Sequence, residues 1–102
     1  MIKVTYYIGM NDKNTLRQEL SKQTFIANFD EVFKDYTLIE AQGRFTNKFG
    51  EITTENSFVV TTFHEITEID MDIIENNCNI LKKELNQESI LVEVSHPDVM
   101  FL

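Results

Sequence analysis

The sequence predicts an α+β domain with the element order β-α-β-β-α-β. This is a ferredoxin-like plait, a four-stranded antiparallel sheet with two helices on one face. Three observations carry that expectation. The chain opens on a segment that alternates apolar and polar residues, it holds two segments with apolar residues at helical spacing, and between these lie two strand-like runs joined by turn residues.

The elements follow in order. Ile2, Val4, Tyr6 and Ile8 alternate with Lys3, Thr5 and Tyr7, and Gly9 closes this half-buried strand. Met10 to Leu20 is polar, with Asn11, Asp12 and Asn14 as turn formers, and reads as a loop. Ser21 reads as a helix N-cap. Beyond it Phe25, Phe29, Val32 and Phe33, with Ile26 beside them, set an apolar stripe on a helix running to about Lys34. Thr37 to Thr46 reads as the second strand, with Ile39, Ala41, Gly43 and Phe45 on one face and Leu38, Glu40, Gln42 and Arg44 on the other. Asn47-Lys48-Phe49-Gly50 supplies turn chemistry in a hairpin loop of about ten residues, and a third strand follows over about Ser57 to His64.

The second helix is expected to start at Thr67, with Asp70 three residues on as a loose capping box. Met71, Ile74, Cys78, Leu81 and Leu85 form its apolar stripe, and Lys82 and Lys83 in its last turns complement the helix dipole. Asn86 ends it. Ile90, Val92 and Val94 alternate in a last strand, which stops before Pro97.

One hundred and two residues, 42% of them apolar and including 8 Phe and 3 Tyr, make one domain with a core of its own. A single cysteine, Cys78, closes no internal disulfide, which fits a reducing compartment. No signal-peptide pattern opens the chain, and no apolar run approaches the ~20 residues that span a bilayer. The expected localisation is cytoplasmic. The charge is the feature that bears most on function: 17 Asp and Glu against 9 Lys and Arg give a net −8. Such a chain repels the phosphate backbone and anionic membranes, which argues against direct nucleic-acid and membrane binding, including an RNA-binding plait with flanking basic residues. A partner bound by charge is then a protein with a basic surface.

Certain short motifs add to this. Tyr7-Ile8-Gly9, Ala41-Gln42-Gly43-Arg44-Phe45, Gly50, and Gln87-Glu88-Ser89-Ile90 together resemble a family of small bacterial and mobile-element proteins of unknown function. The resemblance covers nearly the whole chain. It implies a compact plait and a phage, plasmid or conjugative setting, where small acidic proteins often antagonise host machinery, and it brings no catalytic assignment.

The candidate sites are few. His64 and His96 are the only histidines and have no metal-ligand spacing around them, so no metal is expected. Cys78 lies on an apolar stripe and reads as packing. No GxGxxG or P-loop pattern surrounds Gly9 or Gly43, whose lack of a side chain relieves crowding, and no cofactor is expected. Gln87, Glu88 and Ser89 read as a helix-to-strand connection whose side chains cap backbone groups. No catalytic residue stands out. The leading expectation is a non-enzymatic acidic binding protein that inhibits a host nucleic-acid-binding system, a CRISPR nuclease or restriction enzyme, by occupying its basic surface. Asp30, Glu31, Glu68, Asp70, Asp72 and Glu75 would make the electrostatic contact, with Phe101 and Leu102 of the apolar tail as anchors. The alternative is a small-molecule-binding or enzymatic plait, a homodimer with a pocket on the open sheet face. That pocket would use Tyr7, Glu40, Arg44 and Glu93, with Leu38, Leu91 and Phe58 nearby.

Overall fold

The computed structural model describes residues 1–102. The order is β1 (Ile2–Gly9), α1 (Lys22–Val32), β2 (Thr37–Thr46), β3 (Ile52–His64), α2 (Met71–Glu84) and β4 (Leu91–Ser95). The four strands form one sheet in the order β2-β3-β1-β4, every pairing antiparallel. The expected plait is the observed fold.

The alternation in β1 sets the layers. Val4, Tyr6 and Ile8 are fully buried beneath the helices, and the register places Thr62, Val60 and Phe58 of β3 beside them on the same face. α1 begins where Ser21 Oγ accepts the Thr24 N–H at 3.2 Å. It delivers Phe25 and Phe29 to that face, and Phe33, its C-cap, follows them into the core. The aromatic side chains form one cluster: Phe29 lies 5.5 Å from Phe58, 6.3 Å from both Phe25 and Tyr36, and 6.4 Å from Phe33, ring centre to ring centre. Phe29→Ala is expected to cost about 3–5 kcal/mol, the loss of a buried aromatic plus the cavity it leaves, read as a lower denaturant midpoint at unchanged slope.

α2 starts later than the sequence suggested. Asp70, not Thr67, is the N-cap, its carboxylate accepting the Ile73 N–H at 2.9 Å, and the residues before it form a turn. Met71 is consequently exposed, while Ile74, Cys78 and Leu81 face the sheet and Leu85 closes the stripe. Burial raises the Cys78 thiol above its usual range, which keeps it protonated and inert, as a packing residue should be.

β3 also starts earlier than expected, at Ile52, which shortens the hairpin loop to the residues between Thr46 and Ile52. β1 reaches only as far as Ser57, so the part of the β2–β3 hairpin beyond it stands clear of the rest of the sheet as a two-stranded arm. With this arm the molecule measures 43 × 26 × 24 Å. No helix is long and apolar enough to cross a membrane.

Candidate functional site

Three segments meet at the Gly9 end of the sheet: the loop after β1, the arm, and the connection from α2 to β4. Between them lies a partly enclosed cavity of about 430 Å³. Its first wall is built from local hydrogen bonding. Asp12 Oδ1 accepts the N–H groups of Asn14 (2.8 Å) and Thr15 (3.1 Å), and Oδ2 accepts Asn86 Nδ2 at 2.6 Å. Those bonds, the one from Asn86 first, hold the Asp12 carboxyl below the usual range. Asn86 reaches it because it ends α2 in the left-handed conformation, φ 51°, a helix C-terminal position that asparagine tolerates. Its carbonyl accepts the Lys13 N–H at 3.0 Å. Gln87, buried, then donates through Nε2 to the carbonyls of Asn11 (3.0 Å) and Leu85 (3.2 Å). The loop is thus joined at several points to the end of α2.

The arm brings a carboxylate to this wall. Glu55, half-buried on β3, has its Oε2 accepting the Asn11 N–H at 3.0 Å. It stands over Gly9, where a Cβ would lie 2.6 Å from Glu55 Cδ and 2.7 Å from Oε2. Its register partner on β2 is Gly43, which adds no side chain beside it. Only two ion pairs form in the molecule, Arg17 with Glu19 and Lys22 with Glu40, so no cation of the protein pairs with Glu55 and Oε1 accepts no hydrogen bond. The cavity is lined by charges of both signs, Asp12, Glu55 and Glu88 with Lys13 and Lys48, and Glu55 is the carboxylate held against Gly9 without an ion pair, which suits it to meet a positively charged group.

The residues singled out from sequence fall elsewhere. Asp30 accepts the Tyr36 hydroxyl at 2.6 Å; burial first, then this bond, pushes the Tyr36 phenol up to about 12. Asp70 is spent as the α2 cap, and Glu31, Glu68, Asp72 and Glu75 are exposed without ion pairs. Phe101 and Leu102 stand free of the protein's own surface, 90% and 111% exposed. His64 shares a 2.8 Å hydrogen bond with Thr62, and no group of three or more His, Cys, Asp or Glu side chains is placed to hold a metal ion.

The alternative pocket does not assemble. Tyr7 and Glu93 share the open face and are bonded, hydroxyl to Oε1, at 3.2 Å, and the Glu93 charge raises the Tyr7 phenol. Glu40 and Arg44 lie on the other face. The register puts Glu40 beside Phe58 and Leu38 beside Val60, both on the helix side, and Glu40 pairs with Lys22 of α1 at 3.3 Å. Of the apolar neighbours expected there, only Leu91 is on the open face.

Glu55, Asn11, Asp12 and Leu16 were not marked as functional by the sequence, and Gln87-Glu88-Ser89 was read as a connection. Gln87 does cap backbone groups, yet all three of these residues also line the cavity. The motif starting at Gln87 supplies lining residues and the one ending in Gly9 lies beneath Glu55, but neither carried a site assignment in the sequence. Gly43 meets nothing within 4 Å of a built Cβ, so crowding explains Gly9 but not Gly43.

No protein-family model matches this chain, and no curated protein does. Solved structures do. A phage SAM lyase in complex with S-methyl-5'-thioadenosine overlays with a TM-score of 0.66 at 17% identity, over 92% of this chain and 79% of that one. The apo state of a phage SAM lyase gives 0.66 at 16% identity, over 92% and 78%. The likeness establishes a shared fold. The expectation of a non-enzymatic acidic inhibitor that occupies a basic surface is overturned by these two neighbours, since the protein that each of them holds is an enzyme.

Proposed function

We propose that this chain is a lyase of S-adenosylmethionine, with its active site in the cavity at the Gly9 end of the sheet. The observation that carries the reading is Glu55, a carboxylate fixed over Gly9 with no cation of its own, in a fold shared with a lyase that holds a thioadenosine. The cavity volume of about 430 Å³ suits a nucleoside-sized ligand. The net charge of −8 gains a use as well, since S-adenosylmethionine is a cation that a negative protein attracts.

The chemistry needs little from the protein. Methylthioadenosine is what remains of S-adenosylmethionine when the bond between sulfur and the methionine Cγ breaks. A lyase adds no water, and the balanced course that needs no protein base to take a Cβ proton is attack by the substrate's own carboxylate on Cγ. An O–Cγ bond forms as the Cγ–S pair moves to sulfur, giving the neutral thioether and a five-membered lactone with no proton gained or lost. The barrier is then mainly one of conformation, and holding the carboxylate behind Cγ supplies the rate. Glu55 Oε1 is suited to grip the α-ammonium and curl the chain, while Gln87, Glu88 and Ser89 supply polar contacts around it. Purified protein incubated with S-adenosylmethionine alone is expected to yield methylthioadenosine mole for mole with substrate lost, read by chromatography. Unchanged substrate, with no methylthioadenosine binding by calorimetry, would refute the reading.

A further inference from the structure

We propose that the Asn11–Gln18 loop selects the base of the ligand: Leu16 and Phe45 are the apolar walls that take the planar purine, and Asp12 is the positioning residue that holds Leu16 there. The inference rests on the lyase reading of the same cavity and adds to it the part of the ligand that is recognised and the residues that recognise it.

Every other side chain lining the cavity is polar or charged, and Leu16 and Phe45 come from opposite walls, the loop and the arm. A purine offers two apolar faces, so these are the only side chains that can exclude water from it. Leu16 is also held at φ 60°, in the left-handed region that leucine disfavours and glycine or asparagine would occupy readily. The loop imposes this. Leu16 N–H donates to the Asp12 carbonyl at 2.8 Å, Asp12 N–H donates to the Arg17 carbonyl at 2.7 Å, and Asn11 bridges Gln18. The Asp12 carboxylate ties the turn to Asn86. A loop that only joined two elements would place a residue of low strain at this position; here the strained residue is one of the two apolar linings of the cavity.

Leu16→Asn separates the two aspects, because asparagine accepts the left-handed backbone while removing the apolar wall. With the lyase assay and calorimetry, Leu16→Asn is expected to raise KM for S-adenosylmethionine and Kd for methylthioadenosine by about tenfold, with kcat within about twofold and an unchanged melting temperature. Adenosine, which carries the base but no methylthio group, should lose inhibition by the same factor. Asp12→Ala should reproduce the rise in KM, and Asp12→Asn, which still accepts from Asn14 and Thr15 but loses the oxygen that accepts from Asn86, should fall between Asp12→Ala and the parent. Parental KM, Kd and adenosine inhibition in a folded Leu16→Asn protein would overturn the proposal and leave the lyase reading standing. So would a change toward methylthioadenosine without one toward adenosine. A parent protein that neither cleaves the substrate nor binds methylthioadenosine would overturn both.

Discussion

Glu55→Gln is expected to lower kcat/KM for S-adenosylmethionine by about a hundredfold, roughly 2.7 kcal/mol of transition-state stabilisation, while the protein stays folded. The size follows from a charge-assisted contact, worth about 1.5–3 kcal/mol against its neutral counterpart. Glutamine keeps the shape and can still accept the Asn11 N–H, so the backbone anchor at 3.0 Å survives and only the charge is lost. Steady-state kinetics and a thermal melt on the same sample check both halves. Wild-type turnover in Glu55→Gln would remove the carboxylate from the mechanism.

Gly9→Ala is expected to impair catalysis nearly as much, by about thirtyfold or more, through displacement rather than through charge. The new Cβ would sit 2.6 Å from Glu55 Cδ, too close for any contact, and what gives way is the end of a flexible side chain rather than backbone. Stability should therefore change by less than about 1 kcal/mol, since alanine also reduces the backbone entropy lost on folding in a strand. The expected signature is an inactive protein with a nearly parental melting temperature. In the double variant with Glu55→Gln the two losses should not add, because both remove the same carboxylate contact. Additive losses in that cycle would mean that Gly9 acts on something other than Glu55.

The order of elements was legible because each segment that covers the core must show its period. β1 alternates since one face meets the helices, and α1 repeats its phenylalanines for the same reason. The arm was not legible, and the cause is physical. Ile52 to Glu55 pairs along its backbone with β2 alone and covers no core, so nothing imposes alternation there, and those residues read as part of a turn. Glu55 was hidden by that misreading. The two faces of β2 were separated correctly but their orientation was reversed. β2 is an edge strand that turns its apolar Ile39 and Phe45 to the face no helix covers, so both are left exposed, while Glu40 on the helix side finds Lys22. The cavity itself draws on residues far apart in the chain, Asn11, Glu55 and Gln87, which only the tertiary fold brings together.

The protruding arm gives the two sides of the cavity unequal tenacity. One side is fastened to the end of α2 through Asp12, Asn86 and Gln87, and opens only when that helix end does. The other is a two-stranded ribbon with no helix against it, joined to the loop after β1 only at its base, where Met10 N–H meets the Asn56 carbonyl at 2.9 Å, Asn11 N–H meets Glu55 and Asn56 meets Gln18; its tip is marginal by itself in water. Sub-global opening of this fold therefore begins in the arm, at a free energy well below that of unfolding the whole domain. The side chains it carries, Glu55 and Phe45, are delivered to a fixed counterpart each time it closes. A ligand held between the two sides would tighten the least stable part of the molecule, and hydrogen exchange would then show the arm as the first region to be protected.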